Sequence, residues 1–185
     1  MLVLVIGDLH IPHRVPDLLE KFKALLVPGK IHHILCPGNL CTEATYDYLK
    51  SICSDVQVTQ GDFDDSSKWP DTLVQTYGQF RIGMCHGHQI VPVGDRAAAA
   101  ILQRKLNTDI LVLGHTHAFQ AYKHEGRFVI NPGSGTGAFS TITPDPIPSF
   151  VLMDIDGPRV TVYVYELHGE EVKVDKIEFS KPASL

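Results

Sequence analysis

The chain has 185 residues, 44% of them hydrophobic and 20% charged, with 16 basic and 21 acidic side chains giving a formal charge of −5. That is the length and composition of a globular domain able to bury on the order of two thirds of its unfolded surface, which excludes disorder as the main state. The acidic balance disfavours a partner bound through nucleic-acid phosphates, and no apolar run approaches the ~20 residues of a membrane-spanning helix.

Residues 2–6 form a continuous apolar run, as expected of a buried parallel strand; no basic segment or small-residue cleavage site marks the start as a signal peptide. Residues 17–26 carry apolar side chains at 18, 19, 22, 25 and 26, which predicts a helix that Val27-Pro28-Gly29 ends. A short strand over 31–35, a helix over 42–53 with Thr42 as N-cap and a strand over 56–60 follow. Residues 73–77 and 80–85 read as a hairpin around Gly78-Gln79, 95–106 as an Ala-rich helix and 109–113 as another buried strand. From residue 118 the pattern turns to β. A second hairpin (118–124, 127–130) and a Gly/Pro-rich loop (131–148) precede a meander over 150–155, 159–167 and 172–179. With no repeat and no long linker, one domain is expected over 1–180, with a frayed tail over 181–185. The expected class is α/β, two sheets packed face to face with helices outside. Cys36, Cys41, Cys53 and Cys85 follow no Cys-x-x-Cys spacing and read as reduced cytosolic thiols.

Short polar motifs stand where predicted strands end: Gly7-Asp8-Leu9-His10, Gly38-Asn39, Gly61-Asp62-Phe63-Asp64, His86-Gly87-His88 and Gly114-His115-Thr116-His117. Ligands gather at the carboxyl ends of strands in α/β sheets, so Asp8, His10, Asn39, Asp62, His86, His115 and His117 can be delivered to one place. Mixed oxygen and imidazole donors suit Mn, Zn or Fe, and the number of donors suits two ions sharing one ligand. The glycine before each ligand is expected to allow a positive φ in a sharp turn. His13, His33 and His124 read as surface residues, and His88 as a neighbour of the site or a surface residue.

The order of these motifs resembles that of the calcineurin-like metallophosphoesterases. Beyond them, Leu35-Cys36-Pro37-Gly38-Asn39-Leu40-Cys41, Asn131-Pro132-Gly133-Ser134 and Pro148-Ser149-Phe150-Val151-Leu152-Met153-Asp154 are similar to the small phosphoesterase-fold subunits of retromer, an endosomal sorting coat. The resemblance implies a four-layer α/β/β/α sandwich. It puts one metal on Asp8, His10, Asn39 and His117 and a second on Asn39, Asp62, His86 and His115, with up to two divalent ions, Zn or Mn. It further implies a cytoplasmic protein recruited to endosomes as part of a complex, acting in retrograde protein transport without inserting into the membrane.

Two positions depart from the family pattern. The bridging ligand, ordinarily aspartate, is Asn39, and the histidine of the Gly-Asn-His motif is replaced by Phe63. A neutral bridge screens two dications roughly 3.5–4 Å apart less than an anion does. Phenylalanine can neither donate a proton nor stabilise a negative oxygen, and losing a positioned acid costs about 10²–10⁴-fold. The expectation is therefore a scaffold with weak or no turnover and no assigned catalytic residue; the alternative is an active two-metal phosphodiesterase or phosphatase.

Ile90-Val91-Pro92-Val93, an apolar loop beside the polar motifs, reads as a partner contact, and the resemblance implies the helical-solenoid large subunit as that partner. Strand alternation turns Val162 and Val164 to one face and Thr161, Tyr163 and Tyr165 to the other, with Leu152 joining the tyrosines if the strands pair. That second apolar area is expected to bind regulators or sorting nexins, as the resemblance implies.

Overall fold

The computed structural model describes residues 1–182. Two sheets are built in the sandwich that the alternation predicts. The first contains β1 (Leu2–Val5), β2 (His33–Cys36), β3 (Val56–Val58), β9 (Ser149–Asp156), β10 (Arg159–His168) and β11 (Glu171–Ser180), in the order β11-β10-β9-β1-β2-β3. The second contains β4 (Thr72–Tyr77), β5 (Phe80–Cys85), β6 (Ile110–Val112), β7 (Phe119–His124) and β8 (Arg127–Pro132), in the order β4-β5-β6-β8-β7. Strands β1, β2 and β3 are parallel, as are β5, β6 and β8.

The period of two along β1 assigns the layers. Val3 and Val5 face inward and meet Ile82, Met84, Ile110 and Val112 of the second sheet, while Leu4 and Ile6 face outward under two helices. Those helices, α1 (Glu20–Leu25) and α2 (Glu43–Ile52), contribute Phe22, Leu49 and Ile52 to the outer cluster. On the far side α3 (Arg96–Leu106) lays Ala99 over Cys85, Leu111 and Val129. The result is four layers, α/β/β/α, with three apolar seams. Among the described residues, no helix is long and apolar enough to cross a membrane.

Local chemistry explains where the elements differ from expectation. Helix α1 begins at Glu20 rather than residue 17, because Leu19 is extended (ψ 133°) and Leu18 is turned into the core. Asp17 accepts the Leu18 N–H at 2.7 Å instead of starting the helix. Thr42 occupies the N-cap of α2, yet its hydroxyl lies 3.1 Å from that of Thr45 and makes no cap bond. Asp95 does cap α3, accepting the Ala98 N–H at 2.7 Å. Strand β11 continues through Ser180, which pairs with Arg159. Lys181 is also held: its N–H donates to Pro158 O at 2.8 Å. Residues 183–185 of the expected tail lie outside the described residues.

Candidate metal centre

The carboxyl ends of β1, β2, β3, β5 and β6 meet at one edge of the sandwich, and the motifs meet with them. Asp8, His10 and His117 form one group of potential ligands, and Asp62, His86 and His115 a second; within each group the ligand atoms lie within 4.8 Å of one another. Asn39 lies between the groups. Its Nδ2 is 3.4 Å from Asp8 Oδ1, 2.9 Å from Asp62 Oδ1 and 3.0 Å from His86 Nε2.

The backbone is strained where the ligands sit. Asp8 (φ 50°), His10 (49°), Asn39 (56°), His115 (72°) and His117 (58°) all occupy the left-handed region, which costs of order 1–3 kcal/mol per non-glycine residue. The sequence suggested that glycines would carry the positive φ. Gly38 does so (110°), but Gly61 and Gly114 have another purpose. A Cβ on Gly61 would stand 2.2 Å from Asn39 Oδ1, and one on Gly114 would stand 2.9 Å from Asp8 Oδ2. These glycines make room for the ligand side chains, and the ligands themselves bear the strain.

Hydrogen bonds aim the imidazoles. His86 Nδ1 is 2.7 Å from Pro37 O and His117 Nδ1 is 2.5 Å from Ala138 O, which leaves each Nε2 facing the centre. His86 Nε2 is 3.1 Å from Asp62 Oδ1, His117 Nε2 is 3.5 Å from Asp8 Oδ1, and the Nε2 atoms of His10 and His117 are 3.2 Å apart. His115 presents Nδ1, 3.7 Å from Asp62 Oδ2, while its backbone N–H fixes Asp8 Oδ2 at 2.8 Å.

Burial alone would raise the Asp8 and Asp62 pKa values, but the surrounding imidazoles, and the Asn39 amide at Asp62, hold both carboxyls below the usual range. Burial pushes His10 down to about 4 and also lowers His115. It opposes the charged form of His86 as well, yet Asp8 and Asp62 outweigh it and raise that pKa above the ordinary imidazole value. The carboxylates are thus ionised and His10 is neutral at pH 7, ready to ligate. Neighbouring Cys41 is no nucleophile, because burial pushes its thiol up to about 12.

This donor set fits divalent cations: ionised oxygens and oriented imidazoles in two adjacent clusters. Because the carboxylates raise the His86 pKa above 6.5, that imidazole is at least half protonated at pH 6.5, and metal uptake there is expected to release about half a proton or more. Calorimetric heats measured in buffers of different ionisation enthalpy read that number directly. Heats independent of the buffer would mean that His86 is neutral before metal arrives.

Asn39 differs from the bridging role expected of it. Its Oδ1 accepts the Phe63 N–H at 2.8 Å, so a donor nitrogen, rather than an oxygen, faces the two carboxylates. Turning the amide to offer its oxygen breaks the Phe63 bond. Phe63 itself is 53% exposed, with its ring 5.7 Å from that of His10. His88 packs beside the site, ring centroid 5.4 Å from His86. His13 is exposed against Asp65 and His124 stands 3.8 Å from Glu125, whereas His33, expected at the surface, is half-buried and bonded to Asp55.

Sequence reasoning missed the residues that clamp these loops. Asp64 accepts N–H groups from Asn39 (3.1 Å), Cys41 (2.8 Å) and Gly61 (2.8 Å), tying two ligand turns together. Ser134 donates to Asp8 O at 2.7 Å and Thr136 to Leu9 O at 2.8 Å. Asn131 Nδ2 donates to Gly114 O at 2.9 Å. Asp64 stood in view inside its motif, but nothing local distinguished a backbone clamp from another ligand.

The two segments expected to contact partners differ in exposure. Ile90, expected at the rim, is instead a core residue, 6% exposed and packed in the seam under α3, because it anchors the loop from beneath. Val91 is 79% exposed and Val93 45%, and Val93 shares the metal-side groove with Phe63, Phe139 and Ile142. On the outer face of the first sheet, Leu152 pairs directly with Tyr163, and both are half-buried. Tyr165 stacks on Phe150 (4.7 Å, 7°), whose ring meets Phe22 of α1 (4.8 Å, 88°), so helix cover extends to Phe150 and leaves Leu152 and Tyr163 at its border.

The calcineurin-like phosphoesterase superfamily domain matches residues 1–158. Vacuolar protein sorting-associated protein 29 of Schizosaccharomyces pombe is 50% identical over 186 residues, which cover 98% of this chain and all of that protein. Entamoeba histolytica Vps29, solved in complex with Zn²⁺, superposes with a TM-score of 0.91 at 45% identity, covering 96% of this chain and 99% of that one. Chaetomium thermophilum Vps29 bound to a cyclic peptide superposes at 0.88 with 41% identity, covering 99% and 98%. Shared fold and end-to-end sequence identity lead to the same conclusion: this chain belongs to the Vps29 family of the calcineurin-like phosphoesterase superfamily.

Proposed function

We propose that the chain is the phosphoesterase-fold subunit of a retromer-type endosomal sorting coat, acting as a scaffold with little or no phosphoester turnover. The observation that carries this reading is the pairing of a strained, tightly clamped ligand face with two disabling replacements, Asn39 and Phe63. Cations held by Asp8, His10 and His117, and by Asp62, His86 and His115, with Asn39 between them, would fix five strand ends and supply Lewis acidity. Rigid loops present Val91, Pro92 and Val93 to a helical-solenoid partner at little entropic cost. Zn²⁺ bound to the Entamoeba relative supports zinc as one occupant.

Leu152, Tyr163 and Tyr165 form the second surface, for regulators or sorting nexins; the cyclic peptide bound by the Chaetomium relative supports the reading that such a domain carries a peptide-binding surface. Recruitment to endosomes follows from the complex. A pull-down from cell extract tests the assembly: solenoid and regulators are both expected with the wild-type bait. Leu152→Glu places a carboxylate against Tyr163 and should lose the regulators by about tenfold or more while keeping the solenoid. Loss of both, or misfolding, would count against two separate surfaces.

Retention of both ligand groups favours a second reading, an active two-metal phosphodiesterase or phosphatase. Turnover of an activated diester with Mn²⁺ that vanishes in Asp62→Ala would favour it over the scaffold.

A further inference from the structure

Strand β4 forms one edge of the second sheet: it pairs with β5 and with no other strand among the described residues. The two-residue turn Gly78-Gln79, with Gly78 at φ 58°, makes Tyr77 and Phe80 a hydrogen-bonded pair. The antiparallel ladder alternates from there, so Gln75 and Leu73 also bond to β5. The N–H and C=O groups of Thr72, Val74 and Thr76 therefore point away from it, and no other element bonds them among the described residues. Edge strands are ordinarily blunted by lysine, proline or a bulge. The edge strand β11 of the first sheet carries Lys173, Asp175 and Lys176, whereas Thr72–Tyr77 holds no charge and no proline and keeps an unbroken register with β5.

A groove of about 350 Å³ lies between the start of this strand and α3, lined by Thr72, Cys85, Ile101, Leu102 and Lys105 among others. Leu73 and Tyr77 pack into the inner seam, so Thr72, Val74 and Thr76 turn their side chains to the α3 side. Ile101, in the middle of α3, is 60% exposed there. Helix and strand run the same way: Ala99 shares a seam with Cys85, opposite Thr72, and a Cβ on Gly83, opposite Val74, would stand 3.3 Å from Leu106 Cδ1. Lys105 therefore lies toward the far end of β4 and Asp71 at its start; both line the groove, and neither forms an ion pair among the described residues. We propose that β4 is a strand-addition site for an extended segment of a partner protein. The segment pairs antiparallel with Thr72–Thr76, the more stable arrangement, and lays alternate aliphatic side chains against Ile101 and Leu102. Its acidic N-terminal end meets Lys105 and a basic residue near its C-terminal end stands opposite Asp71. A second copy of the chain paired about Val74 would set Asp71 against Tyr77 and give it no cation, whereas a foreign segment satisfies both charges.

The test uses the full chain and the synthetic peptide acetyl-Glu-Thr-Leu-Thr-Val-Lys-amide, followed by NMR. With leucine opposite Val74, the valine falls opposite Thr72 and the lysine opposite Asp71. The peptide should slow amide hydrogen exchange at Thr72, Val74 and Thr76 and shift the resonances of Ile101 and Leu102. Methylating the leucine nitrogen, whose N–H faces β4, should weaken binding about tenfold or more; methylating the nitrogen of the following threonine, whose N–H faces away, should change it less than about twofold. Lys105→Glu, at an exposed position, should weaken the peptide several-fold and be rescued when its glutamate is exchanged for lysine. Ile101→Ser should weaken it without changing the melting temperature. No binding at about 1 mM peptide would overturn the proposal. So would equal effects of the two methylations, or shifts on α3 without protection at Val74, since either means that side chains dock without an added strand. A concentration-dependent dimer that protects the same three amides and excludes the peptide would also overturn it, assigning the edge to a second copy.

Discussion

Asn39→Asp is expected to destabilise the metal-free protein and stabilise the metal-loaded one. The substitution replaces one heavy atom, Nδ2, by an oxygen; the oxygen that accepts the Phe63 N–H at 2.8 Å is retained. Without metal, the amide donates to Asp62 at 2.9 Å and approaches Asp8 at 3.4 Å. An aspartate there would bring a third carboxylate against two that are already ionised. Unit charges about 4 Å apart interact by about 4 kcal/mol at an effective dielectric of 20, and that attraction becomes repulsion here. Proton uptake at the site, for which His86 is already poised, would offset part of it. With divalent cations present the sign reverses, since the new anion lies between both ligand groups. If about 3 kcal/mol of attraction survives, the affinity for the second ion rises about 10²-fold. Thermal unfolding with a chelator and with saturating Mn²⁺ measures both halves: the melting temperature should fall in the first condition and rise in the second. A variant stabilised in both conditions, or unchanged in metal affinity, would show that residue 39 does not govern the pair.

The layers were legible because they obey short periods. Val3, Leu4, Val5 and Ile6 alternate between two seams, and Val160, Val162 and Val164 turn inward while Tyr163 and Tyr165 turn out. The convergence of the candidate ligands was legible because each follows a strand end, and parallel strands bring those ends to one edge. What could not be read depends on contacts distant in sequence. Ile90 looks like any loop isoleucine until α3 closes over it. Asp64 becomes a clamp only when residues 39, 41 and 61 fold around its carboxylate. The orientation of the Asn39 amide is decided by one backbone N–H, that of Phe63. The two positions expected to depart from the family pattern are thus linked physically, because the Phe63 backbone N–H holds the Asn39 amide. Glycine conformations were misjudged for a related reason. A dipeptide reveals that space is needed, but not whether the space is for the backbone turn or for a side chain arriving from another strand, as at Gly61 and Gly114.

Val91→Asp should abolish capture of the solenoid partner while leaving the melting temperature unchanged. Val91 is 79% exposed, so an aspartate there stays hydrated in the free protein and disturbs no packing. The adjacent Ile90 shows the contrast: at 6% exposure it anchors the loop in the α3 seam, and Ile90→Asp should instead unfold the domain. In a complex that covers this rim, the carboxylate introduced by Val91→Asp loses its water without a designed partner. Burying an unpaired charge costs several kcal/mol, and about 3 kcal/mol already corresponds to a loss of about 10²-fold in affinity. Substitutions at the centre of an interface have effects of this size, whereas rim substitutions do not, so the magnitude also locates the loop within the contact. Leu152→Glu serves as the matched control, adding the same charge on the outer face of the first sheet, away from the metal side. Binding measured against purified solenoid subunit decides the matter. Unchanged affinity in Val91→Asp would remove residues 91–93 from the interface. Equal losses in both variants would mean that acidity alone, not position, repels the partner, and that the metal-side face is not where it docks.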